Sequence, residues 1–227
     1  MPRKIYCLKC DIKKYFDNVD HEILFELLRR RIWDKDVLWL LEEIIESNPR
    51  ACPQRLASSS CDGGRGIPIG NLTSQLFANL YLNELDHFVK RELKEKYYIR
   101  YMDDFLILGI DKKHLAVQKE KIREFLRDKL KLELHPRKAE IFPARETVSS
   151  NGVNLDFLGY VLIDGKRRLR KSTVKRFVKR RKRYARLLRY GKMTKEFIEN
   201  SEKSWLGYAK FADSWGLRRK VGINCKR

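Results

Sequence analysis

The chain has 227 residues, 43% of them apolar, and a formal net charge of +21. This length fits one large domain or two small ones, and the apolar content excludes a disordered tail. The positive charge favours nucleic acid as partner over a membrane surface, since no apolar run approaches the ~18 residues of a membrane span and no signal peptide is found.

The first predicted element is a strand over residues 4–11, which contains the C-x-x-C pair Cys7 and Cys10. Residues three apart on a strand point to opposite faces, which argues against a zinc site, and adding Cys52 and Cys61 gives no zinc-like spacing. Five cysteines without an export signal favour structural, reduced thiols and a cytoplasmic protein.

Three helices are predicted next from the spacing of apolar residues. The first follows Asp20 and the second begins near Asp34. Residues 51–70 are rich in Ser, Gly and Pro and are typical of a loop, and the third helix begins near Asn71.

The second half of the first domain alternates between strands and one helix. A β-hairpin is predicted at 97–109 and a helix at about 112–130. Short strands are predicted near 132–134 and 139–142. A strand at 153–161 is followed by a second, antiparallel strand at 166–170, which completes another hairpin. This order predicts an α+β fold, a split β-α-β antiparallel sheet with helices on one face and the other face free for a large ligand.

A change in composition at Lys171 predicts a second domain, so the domains are expected at 1–170 and 171–227. Residues 165–190 contain fourteen basic side chains and no acid. A solvated basic helix is the alternative, but so much uncompensated charge favours contact with nucleic acid.

The predicted hairpin places two carboxylates at its tip, in Tyr101-Met102-Asp103-Asp104. An acidic turn is the simple alternative, because Asp is common in turns. Asp11 ends the first strand, which neighbours the hairpin in a split β-α-β sheet. Three carboxylates there would hold two divalent cations, an arrangement that supports nucleotidyl transfer.

An ordered set of motifs covers nearly the whole chain. It consists of Asp11-x-x-x-x-Phe16, the segment 66–75, the tip at 101–104 and Phe157-Leu158-Gly159-Tyr160. The set resembles the reverse transcriptases, from the palm to the thumb. The resemblance implies an RNA-directed DNA polymerase that works on an RNA template, a DNA primer or cDNA, and dNTPs.

The resemblance assigns a role to each matching residue. Asp11, Asp103, Asp104 and the backbone of Ile12 would bind two Mg²⁺ ions, with Mn²⁺ as a substitute. Lys138 would protonate the pyrophosphate, although a solvated lysine is an equally good interpretation.

Three further sets of residues would contact the nucleotide and the nucleic acid. Phe16 matches the steric gate against a 2′-hydroxyl, with a core aromatic as its alternative. The residues that would cradle the template base and nucleotide are Ile69, Gly70, Ser74 and Gln75. The primer grip would be Phe157, Leu158, Gly159 and Tyr160. A helix at 173–190 would track the duplex backbone through Lys175, Arg176, Lys179, Arg180, Lys182 and Arg183.

The string from Ile69 to Gln75 narrows the subfamily. Group II intron and retron enzymes usually show Gln-Gly-x-x-x-Ser-Pro, whereas Ile69 and Gln75 replace the Gln and the Pro here. These two replacements are similar to those in the enzymes of diversity-generating retroelements. Those enzymes copy a template RNA with frequent errors at adenine and work with a small basic accessory protein.

One departure from the family leaves alternatives open. Only ten residues precede Asp11, so the fingers region that contacts the triphosphate is expected to be missing. The chain could therefore be a non-catalytic RNA-binding fragment of such an enzyme. A group II intron maturase-like reverse transcriptase is the other alternative.

Overall fold

The computed structural model describes residues 5–47, 64–144, 154–163 and 165–222. The chain forms two compact units, unit 1 up to Phe142 and unit 2 from Pro143. The domain boundary expected after residue 170 falls inside unit 2, because Leu169 and Phe177 belong to one hydrophobic cluster. Within the described ranges, no helix combines the length and apolarity needed to cross a membrane.

A four-stranded sheet with the order β2-β3-β1-β4 forms the centre of unit 1. Its strands are β1 (Tyr6–Asp11), β2 (Tyr98–Tyr101), β3 (Asp104–Gly109) and β4 (Glu140–Pro143). β3 pairs antiparallel with both neighbours, so that Asp104 lies opposite Asp11 on one side and Tyr101 on the other. This pairing confirms the predicted hairpin and places its tip beside the end of β1.

Unit 1 contains five α-helices and one π-helical turn among its described residues. They are α1 (Tyr15–Asn18), α2 (His21–Arg29), α3 (Lys35–Glu46), α4 (Leu72–His87), the π-helical turn (Phe88–Glu92) and α5 (Lys112–Leu130). Asp20 and Asp34 cap α2 and α3 by accepting hydrogen bonds from backbone amides of the first turn, as expected from their positions. The α1 helix and the π-helical turn were not predicted, because each is too short to show an apolar period.

The helices cover one face of the sheet. Leu8 and Ile107 from the strands, Tyr81 from α4 and Ile122 from α5 are fully buried in one cluster. The side chains of Ile99 and Tyr101 on β2, and of Tyr97 just before the strand, are exposed by 54%, 60% and 57%. The expectation of a sheet with helices on one side only is confirmed.

In the part of unit 2 that the structure describes, a three-stranded sheet is combined with three helices. Its elements are β5 (Leu155–Phe157), β6 (Tyr160–Ile163), β7 (Lys166–Leu169), α6 (Lys171–Arg189), α7 (Lys195–Lys210) and α8 (Trp215–Lys220). Phe177 of α6 stacks on Trp205 of α7 with ring centroids 3.9 Å apart. This stack forms the centre of the cluster that α6 and α7 share with the sheet.

The prediction of one strand over 153–161 was wrong. The strand breaks after Phe157, since Leu158 and Gly159 form a turn with positive φ angles of 53° and 84°. Two successive left-handed residues are typical of a tight hairpin turn. The apolar run around Leu158 concealed that turn, and Gly159 was the available signal.

Cys7 and Cys10 are buried, free thiols on β1. Burial raises the pKa of each to about 12, so both stay protonated at neutral pH. This agrees with the prediction of structural thiols for these two residues. Cys52 and Cys61 lie outside the described residues.

Candidate functional site

Three carboxylates meet at one end of the unit 1 sheet. Asp11 lies directly opposite Asp104, and Asp103 occupies the adjoining β2–β3 turn. The Asp11 carbonyl accepts a hydrogen bond from the His135 amide at 2.8 Å on the other edge of β1. The Asp11–Asp104 pair is therefore of the non-hydrogen-bonded kind, in which opposing side chains approach most closely.

This arrangement costs electrostatic free energy, because like charges directly opposite on a sheet destabilise it. The pKa of Asp103 is raised, first by burial and then by the charges of Asp11 and Asp104. The site therefore disfavours the third negative charge unless a cation lies beside it.

Lys138 provides one such cation. Its Nζ lies 2.7 Å from Oδ2 of Asp11, and this hydrogen bond raises the pKa of the lysine. The residue lies in the turn after His135, whose amide binds the Asp11 carbonyl. The structure thus brings Lys138 to Asp11, and its role in protonating the pyrophosphate stays a prediction.

The donor chemistry at this tip suits Mg²⁺, which prefers carboxylate and carbonyl oxygens. Among the described residues, no three or more His, Cys, Asp and Glu side chains stand arranged around a common metal position. The carboxylates therefore supply suitable ligand atoms without a preformed cage. A cation bound to Asp11 would also have to replace the Lys138 ammonium.

The backbone of Ile12 faces the same tip. Asp11 and Lys13 direct their bonded carbonyl and amide towards residues 133–135. Because backbone groups alternate along a strand, the Ile12 carbonyl points to the β3 side, where Asp103 lies. The Ile12 side chain is buried, and the role of its backbone at the metals stays a prediction.

Phe16 lies on α1, directly after the end of β1. Its side chain is half-buried against the unit 1 core, and its carbonyl accepts a hydrogen bond from the Ile67 amide at 2.9 Å. The neighbouring Tyr15 fixes the helix by donating from its hydroxyl to the Ala78 carbonyl at 2.6 Å. The loop at 66–67 is therefore tied to the segment that carries Phe16, and the role of Phe16 as a steric gate stays a prediction.

The residues predicted to cradle the nucleotide divide into two groups. Ile69, Gly70 and Gln75 are exposed, and Gly70 has a φ of 107° with open space around its α-carbon. Ser74 is fully buried on the inner side of α4, and its Oγ has no hydrogen-bond partner among the described residues. In this conformation Ser74 does not reach the surface that would meet a nucleotide.

Sequence reasoning missed the anchor of the hairpin tip. Arg100 on β2 forms a two-pronged ion pair with Asp86 of α4, with N–O distances of 2.7 and 2.5 Å. An arginine inside a β-prone apolar run next to an acidic turn was the available signal. The partner on α4 could not be identified from spacing.

In unit 2, the β5–β6 turn is held from two sides. The Gly159 carbonyl accepts a hydrogen bond from the Arg170 amide at 3.0 Å. The Tyr160 hydroxyl donates to the Tyr208 carbonyl at 2.9 Å, and the two rings lie 4.7 Å apart. The predicted primer-grip residues Phe157–Tyr160 therefore form a rigidly supported hairpin, and their contact with a primer stays a prediction.

The predicted backbone-binding residues of α6 are all exposed. Phe177 points inwards to Trp205, which orients the helix. The rest of the helix surface presents to solvent the side chains of Lys175, Arg176, Lys179, Arg180, Lys182 and Arg183. A helix face of this charge suits the phosphate backbone of a nucleic acid.

Comparison with known proteins gives one family and several relatives. The family model described as reverse transcriptase (RNA-dependent DNA polymerase) matches residues 1–162. Protein YkfC of Escherichia coli is 27% identical over 60% of this chain and 43% of its own length. The group II intron-encoded protein LtrA of Lactococcus lactis is 28% identical over 76% of this chain and 37% of its own length.

Among solved structures, telomerase from Candida albicans in complex with a fragment of telomeric RNA matches with a TM-score of 0.53. The match covers 77% of this chain and 34% of that chain at 13% identity, so it shows a shared fold alone. The chain spans less than half the length of these relatives.

Proposed function

The chain belongs to the reverse transcriptase family, and we propose that it adds deoxynucleotides to the 3′ end of a DNA primer on an RNA template. The observation that carries this proposal is the meeting of Asp11, Asp103 and Asp104 at one end of the sheet. If the chain only bound nucleic acid, these three carboxylates would repel the phosphates and weaken the binding. Their presence is explained by a reaction in which they hold cations.

Bound Mg²⁺ would activate the primer hydroxyl and neutralise the departing pyrophosphate, and Mn²⁺ would substitute for it. The chain's own residues provide the ligands and a proton. Asp11, Asp103 and Asp104 supply carboxylate oxygens, with the Ile12 carbonyl beside them. Once Lys138 is released from Asp11, its ammonium would protonate the pyrophosphate as it leaves.

The proposed partners follow from charge and from the family. The exposed basic side of α6 suits the sugar–phosphate backbone of an RNA–DNA duplex. The family model, described as that of RNA-dependent DNA polymerases, supports an RNA template as one partner. The dNTP and the DNA primer complete the substrate set.

Primer extension on an RNA template tests the proposal. Wild-type chain, a labelled DNA primer, all four dNTPs and Mg²⁺ are expected to give elongated product that disappears when EDTA is added. A matched DNA template measures the preference for RNA. Absence of product with both Mg²⁺ and Mn²⁺ would contradict polymerase activity of this chain.

A non-catalytic RNA-binding role is the second candidate, favoured by the basic side of α6. The two candidates give different results with the same labelled RNA–DNA duplex. Binding without elongation, unaffected by EDTA, supports the second candidate. Binding accompanied by elongation supports the first.

We also propose that the enzyme copies a retroelement template with frequent errors at adenine, assisted by a small basic protein. Ile69 supports this proposal, because its side chain is 72% exposed just before α4. Ile69→Gln is expected to lower misincorporation opposite template adenine several-fold, as measured by sequencing the extension products. Leu72→Gln, which also changes an exposed apolar residue, is the control and should leave the error spectrum unchanged. An unchanged error spectrum in Ile69→Gln would contradict the proposal.

Lys138→Met is expected to tighten Mn²⁺ binding by about threefold, because the lysine ammonium competes for Asp11. The estimate follows from the modest free energy of an ion pair whose lysine is half-exposed, below ~1 kcal/mol. Titration of free Mn²⁺ by electron paramagnetic resonance gives the affinity. Lys13→Met, which removes a lysine paired with Glu133, is the control and should bind Mn²⁺ like the wild type.

A further inference from the structure

A side chain on β2 holds the peptide bond that joins Met102 to Asp103. Arg100 donates from Nη1 to the Met102 carbonyl at 3.1 Å. That carbonyl belongs to the same planar peptide unit as the Asp103 amide. A hydrogen bond that fixes the direction of the Met102 carbonyl therefore also fixes the position of the Asp103 amide.

The guanidinium is itself anchored to α4. Nε and Nη2 bind the two oxygens of Asp86, and Nη1 also donates to Oδ1 of Asn79 at 3.3 Å. The Tyr98 hydroxyl donates to Asp86 at 2.7 Å and holds that carboxylate in place. Only 10% of the Arg100 side chain is exposed, so water competes little for these bonds.

The turn needs such support because Met102 has a φ of 55°. The left-handed conformation is unfavourable for a side chain like that of methionine, whereas asparagine tolerates it well. A relaxed turn would move Asp103 away from Asp104 and Asp11, whose repulsion already opposes its position.

We infer that Arg100 is a positioning residue, which ties the Met102–Asp103 peptide to Asp86 of α4 and thereby holds the Asp103 carboxylate beside Asp11 and Asp104. The inference rests on the proposed function, since it concerns the residues assigned to metal. Arginine is required because a lysine ammonium is a single point charge. It cannot grip both oxygens of Asp86 and reach the turn carbonyl as well.

The test compares Mn²⁺ affinity with thermal stability in the full chain without substrate. Arg100→Lys is expected to weaken Mn²⁺ binding by about tenfold, as is common when the partner that orients a metal ligand is lost. Adding Met102→Asn in that background should restore part of the affinity, because the turn then keeps its shape unaided. The control Lys131→Met removes the cation paired with Asp20 and should lower the melting temperature without changing Mn²⁺ affinity.

Each result bears on the inference in one direction. Wild-type Mn²⁺ affinity in Arg100→Lys, or no recovery on adding Met102→Asn, overturns it. No Mn²⁺ binding by the wild type also overturns it, since there would be no metal site to position. Mn²⁺ binding with the expected pattern but no primer extension would leave the inference standing and refute the proposed polymerase activity.

Discussion

Replacement of Asp103 by asparagine is expected to lower primer extension by about 10³-fold, the scale of loss when a group that stabilises charge in the transition state is removed. Asparagine keeps the size of the side chain but lacks the negative charge with which Asp103 would help Asp11 and Asp104 to hold a cation. Single-turnover extension with saturating template–primer measures the change. Asp128→Asn removes an exposed carboxylate from α5 and should extend like the wild type.

The same substitution is expected to make the metal-free protein more stable at neutral pH. Folding raises the pKa of Asp103, so the stability this carboxyl contributes is fully present below its unfolded pKa and is lost as the pH rises through the raised value. Asparagine stays neutral throughout. The melting temperature of Asp103→Asn in EDTA should therefore exceed that of the wild type at pH 7, and the difference should shrink as the pH falls towards the carboxyl range.

A variant that is both inactive and more stable would separate catalysis from folding. A lower melting temperature than the wild type would show that the three carboxylates do not repel one another as placed. A loss of stability in exchange for activity is common where a functional site brings like charges together.

The carboxylates could be predicted because strand pairing is a simple rule. Asp11 at the end of one strand and Asp103 in the turn of a neighbouring hairpin must approach each other once the sheet order is known. Helix starts at Asp20 and Asp34 were predictable for a similar reason, since the capping side chain lies next to the amides it accepts from.

The supporting contacts could not be predicted, because they join residues with no pattern between them. Arg100 and Asp86 lie on a strand and a helix whose facing sides depend on packing in three dimensions. Ser74 looked like a nucleotide contact from its motif, yet the period of α4 turns it into the core. In both cases the missing information was the rotation of α4 against the sheet.

The β5–β6 turn shows how such a packing contact restricts a single residue. Gly159 has a φ of 84°, and a methyl group on its α-carbon would come within 2.4 Å of the Tyr208 hydroxyl oxygen. Gly159→Ala is therefore expected to destabilise unit 2 by about 3 kcal/mol, of which ~1 kcal/mol is backbone strain and the rest is the clash. Urea unfolding followed by tryptophan fluorescence, which reports on the buried Trp205, measures the loss.

Two variants separate the strain from the clash. Gly165→Ala has a similar φ of 70° but open space around it, so it should cost only the ~1 kcal/mol of strain. Tyr208→Phe removes the oxygen that meets the new methyl group and leaves the ring carbon at 3.5 Å, an ordinary contact. Gly159→Ala combined with Tyr208→Phe should therefore be more stable than the sum of the two single losses predicts. If the losses in the free energy of unfolding were simply additive, α7 would not restrict the turn. The backbone alone would then determine the shape of the hairpin assigned to the primer.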